Sequence, residues 1–327
     1  MSHSAESVSE KRSRRSGFIS AVISALILST TGVFIASLTR RFALPPLVLS
    51  FWREFFVFLI LLIFLLLTHP ESVRPVNQNF RFLIPYGFIL AVFNGVWTFS
   101  VGLNGAAVGT VLVYTNPIFT ALLGRLLLKE RMTGLQWICI VLSIAGCVLV
   151  SECLTVPRES LNLQGILIGL LSGFFFAVYT LMGRRSGTSA GGGGTWSSLC
   201  WIFGIASVFM FLFNRLFLII PFPGGVVAGS LFHLGGSVEG WTVLLMLAGL
   251  PTLLGYGFYN RSLRFLPSLT VSLIASSEPA FTAVLAFFIL QERMSLPATA
   301  GSVLILCAVV LLQTGIPGRG SADSLTG

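Results

Sequence analysis

Asn116-Pro117-Ile118-Phe119-Thr120-Ala121, running on to Lys129-Glu130-Arg131-Met132, returns 162 residues later as Glu278-Pro279-Ala280-Phe281-Thr282-Ala283, running on to Gln291-Glu292-Arg293-Met294. Nine of the seventeen aligned positions are identical: the Pro, Phe, Thr and Ala, two Leu, and the closing Glu-Arg-Met. Each copy lies in an apolar run, carries a proline where a helix sits deep in lipid, and stops at charge. A self-match at half the chain length makes the protein two copies of one unit. In a membrane protein that points to a transporter built from paired halves.

Composition puts the chain in a membrane. Of its 327 residues, 55% are hydrophobic and only 9% charged, against about 25% charged in soluble domains. A mean hydropathy of +0.92 exceeds what one soluble core can hide, so lipid is the solvent for most of these side chains. The net charge of +9 is spread over helix ends, with no basic face or recognition module, which excludes nucleic acid as the expected partner. The five cysteines form no Cys-x-x-Cys and no Cys/His cluster, so no metal site, disulfide framework or cofactor is implied. His3, His69 and His233 are scattered in flanks and loops. No phosphate-binding glycine loop is present, so the chain itself uses no ATP.

Residues 1–16 read as a disordered cationic tail with Lys11, Arg12, Arg14 and Arg15. A basic stretch before an apolar run also describes a signal peptide, but the run over 17–38 is a full span and no small-residue cleavage site follows. Further spans are expected at 46–67, 82–103, 106–128, 134–151, 165–183, 196–220, 241–260, 266–289 and 297–314, ten in all. The fold class is therefore all-α and integral to the membrane. A first five-helix unit covers 17–152, a linker 153–164, a second unit 165–314, and a tail 315–327. The glycine tract at 191–194 reads as a flexible connection and 221–240 as a longer exterior loop.

Lys and Arg decide the expected orientation. With the N-terminus in the cytoplasm, fourteen basic residues fall inside and four, Arg40, Arg41, Arg158 and Arg293, fall outside. Both termini are then cytoplasmic, in a bacterial inner membrane. Each half has five spans, an odd number, so the halves lie in opposite orientations and the repeat is inverted.

Ten spans, the inverted repeat, and a proline followed about thirteen residues later by Glu-Arg at the end of the fourth span of each half resemble the EamA family of the drug/metabolite transporter superfamily. The resemblance covers about residues 17–314. It implies a carrier, not an enzyme, that moves small metabolites, often exporting amino acids or related compounds. The competing class is a non-transport polytopic membrane protein, an enzyme or a scaffold. An enzyme needs a clustered catalytic set, which is not visible. A scaffold needs no buried carboxylate.

Several side chains are candidates for the site. Glu278 stands about twelve residues into the ninth span, ~18 Å deep, where a lone ionised carboxylate costs several kcal/mol. It is read as substrate-facing or proton-linked; the alternative is a protonated packing residue. Asn116 holds the matching place in the first half and can hydrogen-bond substrate without charge. Pro117 and Pro279 either hinge the helices or kink them statically. Arg53, in the second span, matches the family pattern and can clamp a carboxylate, or snorkel outward. Glu54 beside it points about 100° away and joins Glu278 as a candidate for proton coupling. Asn94, Trp97 and Thr98 align with Tyr256, Tyr259 and Asn260 at the same offset of 162, each trio on one helical face. That stripe is a cavity wall or an interfacial aromatic belt. Tyr114 is a further wall residue. The expected reading is alternating access near Asn116 and Glu278: Arg53 takes a carboxylate, Glu278 an ammonium, and the aromatics cover the rest. The first span lacks the glutamate that the superfamily's small four-helix multidrug members use for proton exchange, so facilitated diffusion stands beside coupled transport. Gly165, Gly169 and Gly173 form a small-residue ridge that lets another helix approach, within the chain or in a homodimer.

Overall fold

The computed structural model describes residues 2–73, 80–130, 132–157, 161–188, 194–220, 226–290 and 295–314. The second Glu-Arg-Met, most of the glycine tract and the C-terminal tail lie outside the described residues. Among those described, all regular structure is helical. Nine helices among the described residues are long and apolar enough to cross a membrane: α1 Arg12–Phe42, α2 Pro46–Thr68, α3 Phe80–Val101, α4 Val108–Leu127, α6 Leu163–Thr188, α7 Thr195–Ile219, α8 Val238–Phe265, α9 Ser268–Leu285 and α10 Leu296–Gln313. The shorter α5, Gly134–Val150, completes the ten. Its 17 residues reach ~25 Å, at the lower limit for a span.

The N-terminal stretch departs from expectation. It is helical from Ser2 and runs unbroken into α1. No glycine or proline occurs before Gly17, and Glu10 stands four residues before Arg14, a pairing that supports a helix despite the segment's charge.

The ten helices pack as two related sets of five. α1 lies on α8 as α3 lies on α6; α2 meets α7, α4 meets α9, and α5 meets α10. Exchanging the halves leaves this pattern of neighbours unchanged. α3 and α4 form a tight hairpin, with Gly109 packed against the Cα of Val101. The α5–α10 pair crosses closely at Gly146, where an added Cβ would lie 2.7 Å from the carbonyl oxygen of Gly301.

The glycine ridge on α6 finds its partner inside the chain. Gly165 faces Leu103 and Asn104, Gly169 faces Ser100, and a Cβ on Gly173 would lie 2.7 Å from Thr115 Oγ1. The ridge therefore seats α3 and α4 and is not free to be a dimer face. Small residues allow backbone approach whichever helix arrives, so spacing alone did not separate the two options. At the end of the bundle away from the N-terminus, the described part of the long loop folds back onto the helices. Val227 accepts from Leu47 N, and Asn214 exchanges two hydrogen bonds with Gly229.

Candidate functional site

The site grows from interrupted helices. In α4 the helix breaks at Tyr114–Thr115, and in α9 at Ser276–Ser277, the same two places at the repeat offset. The local chemistry is shared. Thr115 N donates to Leu112 O and Ser277 N to Ile274 O, each a tightened three-residue turn. Thr115 Oγ1 and Ser277 Oγ donate back to the same two carbonyls, both at 2.6 Å. Hydroxyl side chains compete in this way with the helical ladder and stop it. Pro117 and Pro279 then sit in the first turn of the following segment, where a missing N–H leaves nothing unpaired. The breaks lie just upstream of the prolines.

Two more helices are interrupted. α1 stops at Ser29–Thr30 and restarts at Thr31. Ser29 Oγ and Thr30 Oγ1 bond back to Leu26 O and Ile27 O, and the freed Ser29 carbonyl accepts from Thr282 Oγ1 of α9 at 3.0 Å. α8 carries a π-helical turn over Ala248–Leu254 around Pro251, in which Thr252 Oγ1 reaches Leu247 O at 2.8 Å. Such turns recur at functional sites. In lipid, irregular backbone is tolerated only where protein or a cavity receives it.

All four interruptions meet one cavity of ≈ 120 Å³ between the halves. Leu28 and Thr31 of α1, Val113 and Tyr114 of α4, Thr252 of α8 and Glu278 of α9 line it. The continuous helices add Arg53, Asn94, Trp97 and Phe176, and α8 adds Tyr256 and Tyr259. Seven of the eight residues singled out for binding are thus neighbours on one surface. The eighth, Asn116, is fully buried outside it and donates to Ser272 Oγ of α9 at 2.8 Å. Its turn of α4 faces the other half. Tyr114, two residues earlier, takes the wall, which it shares with Glu278.

Polar groups on this wall are held unevenly. Glu54 is completely buried behind Asn94, whose Nδ2 donates to its Oε1 at 2.6 Å. Its Oε2 has no hydrogen-bond partner. On the cavity side, Arg53 Nε and Thr31 Oγ1 are likewise buried and unpartnered, so a polar ligand would find two unsatisfied groups. Tyr259 is 2% exposed and pairs with Thr180 Oγ1 at 2.6 Å, so it belongs to no interfacial belt.

A polar-aromatic layer closes one end of the cavity. Tyr86 donates to Asn260 Oδ1 and Asn260 Nδ2 donates to Tyr179, both at 2.8 Å, while Phe176 stacks on Tyr259. Beyond the layer lies a smaller space lined by Tyr86, Asn260 and Arg264. Tyr86 and Tyr179 carry no sequence signal beyond being tyrosines in apolar runs. Asn260 was visible in the duplicated stripe. Glu130 of the first Glu-Arg-Met accepts from the backbone N–H and hydroxyl of Ser268, at 3.1 and 3.2 Å. The first copy of the motif thus caps the first turn of a helix in the other half.

Comparison with known proteins agrees with this architecture. The EamA-like transporter family matches residues 15–152 and again residues 163–314. An uncharacterized transporter of Clostridium kluyveri is 24% identical over 309 residues, covering 91% of this chain and 93% of that protein. The threonine/homoserine exporter RhtA of Salmonella typhimurium is 26% identical over 250 residues, 75% and 74% of the two chains. A solved crystal structure superposes with a TM-score of 0.74 at 14% identity, over 96% of this chain and 99% of that one, which shows a shared fold. The chain belongs to the EamA-like transporter family and is a multi-span membrane transporter, not an enzyme.

Proposed function

We propose that the protein exports small polar or amphiphilic metabolites, amino acids foremost, by alternating access of its two halves around the central cavity. The observation that carries this reading is the pairing, on one buried surface, of a guanidinium whose Nε has no partner and a carboxyl with an aromatic wall. Arg53 receives a carboxylate and Glu278 an ammonium. Trp97, Tyr114, Tyr256 and Tyr259 cover the side chain. Asn94, fixed by Glu54, orients the polar end. Asn116 joins the halves, and Pro117 and Pro279 start the segments that swing at the breaks. Glu278 exchanges its ammonium partner for a proton, while Glu54 stays in place behind Asn94. The Tyr86–Asn260–Tyr179 layer is the closed gate, at the end that the charge distribution assigns to the cytoplasm. The name of the Salmonella relative supports amino-acid export as the first pool to try.

Counterflow in proteoliposomes, with a mixed pool of amino acids and related metabolites and with or without a proton gradient, tests this. The reading expects saturable, selective uptake that a proton gradient concentrates and that Glu278→Gln reduces at unchanged folding. Uptake that only equilibrates would remove the proton role from Glu278. Folded protein that moves no member of the pool would overturn the substrate class.

A further inference from the structure

At the end of the bundle that carries the N-terminus, α1 and α8 leave a groove of ≈ 400 Å³, separate from the central cavity. Its walls are graded by depth. On α1, Arg12 and Arg15 stand at the rim, and Ile19 and Ile23 follow further in, at the spacing that keeps them on one helical face. Gly17 packs on Phe265 and Ser24 Oγ donates to Gly255 O, so α8 runs antiparallel to α1 with Arg261 near the level of Ile19 and Phe258 near that of Ile23. Two guanidinium groups therefore stand at the mouth, a third about one turn or more further in, and the apolar side chains beside and below it.

Among the described side chains, no carboxylate lines the groove. Glu10 lies four residues before Arg14 in the same helix, the spacing that favours Arg14 over Arg12 or Arg15. Arg12, Arg15 and Arg261 are exposed, and Ile19 is 46% exposed. Like charges gathered in one groove repel, and an anion between them offsets that repulsion. The rim sits where apolar spans end, at headgroup depth, and the floor sits at acyl-chain depth. From Arg12 to Ile23 the helix rises ~16 Å, room for a headgroup and the first part of a chain. A free phosphate would use only the rim.

We propose that this groove binds an anionic phospholipid of the surrounding leaflet, with the phosphate among Arg12, Arg15 and Arg261 and an acyl chain along Ile19, Ile23 and Phe258. The lipid bridges α1 and α8, two helices whose interruptions line the cavity.

Native mass spectrometry of the full chain in detergent, after incubation with phosphatidylglycerol or phosphatidylcholine, tests the assignment independently of transport. The wild type is expected to retain phosphatidylglycerol and to lose phosphatidylcholine. The R12Q/R15Q/R261Q variant is expected to lose about a hundredfold in phosphatidylglycerol retention, at roughly a fivefold effect per arginine. R81Q/R125Q/K129Q removes equal charge from exposed positions elsewhere at the same end and is expected to retain lipid like the wild type. I19S/I23S, which keeps every charge, is expected to weaken retention through the floor. Equal retention by the groove variant, equal loss in the charge-matched variant, equal binding of phosphatidylcholine, or displacement by millimolar inorganic phosphate would each overturn the proposal.

Discussion

At Tyr114–Thr115 and at Ser276–Ser277 the chain breaks its helix with the same hydrogen bonds, yet the two breaks face different surroundings. After the first, Asn116 is fully buried against Ser272 of the opposite half, and Tyr114 before it lines the cavity. After the second, Glu278 lines the cavity, while Ser276, the counterpart of Tyr114, is buried and bonds to its own helix at Ser272 O. The wall position and the interior position have exchanged places between the copies. Duplication preserved the backbone device, and divergence gave one copy a strut and the other a carboxyl.

The largest test of this contrast is Glu278→Gln against Asn116→Ala. Loss of a charged hydrogen bond is worth about 1.5–3 kcal/mol, so Glu278→Gln is expected to reduce counterflow roughly ten- to a hundredfold. Asn116→Ala should leave flux per folded molecule within about threefold while lowering thermal stability in detergent by about 1–2 kcal/mol. Reversed effects would break the comparison. Next is Gly173→Leu, which forces a side chain into the turn at Thr115. A cost of about 1–3 kcal/mol is expected, read as a lower melting midpoint with the oligomeric mass unchanged. A change of oligomeric state at constant midpoint would restore the ridge to an intermolecular role. The smallest effect belongs to Thr115→Val and Ser277→Ala. Each removes one hydroxyl back-bond and is expected to shift stability by about 0.5–1 kcal/mol. Closely similar shifts in the two variants would show that the breaks are equivalent; unequal shifts would locate the asymmetry in the backbone as well.

Much of this was legible in the residues. Length and hydropathy placed the spans, because a helix that crosses lipid needs a long apolar run with few charges. The offset of 162 placed the breaks in register and drew Asn94, Trp97, Tyr256 and Tyr259 into one set. What spacing does not carry is rotation. Whether Asn116 or Tyr114 meets the cavity depends on how α4 turns against α9, set by Ser272 and Thr120 across the interface. The α1 break was hidden for another reason. It has no proline, and Ser29 and Thr30 stop the ladder through their own hydroxyls, a competition that composition barely registers. The closing layer was hidden as well, since Tyr86, Tyr179 and Asn260 come from three helices and meet only after folding. The same holds for Glu130, which reads as a terminal charge until Ser268 arrives from the other half.

The most direct test of the central claim is cysteine accessibility at the two matched positions. Glu278→Cys and Asn116→Cys, each in a chain with its native cysteines replaced, are exposed to a water-soluble methanethiosulfonate in sealed vesicles with and without cargo. The account predicts that position 278 is labelled and that the transported metabolite protects it, while position 116 stays inert. Labelling at 116 as fast as at 278, or an inert 278, would contradict it.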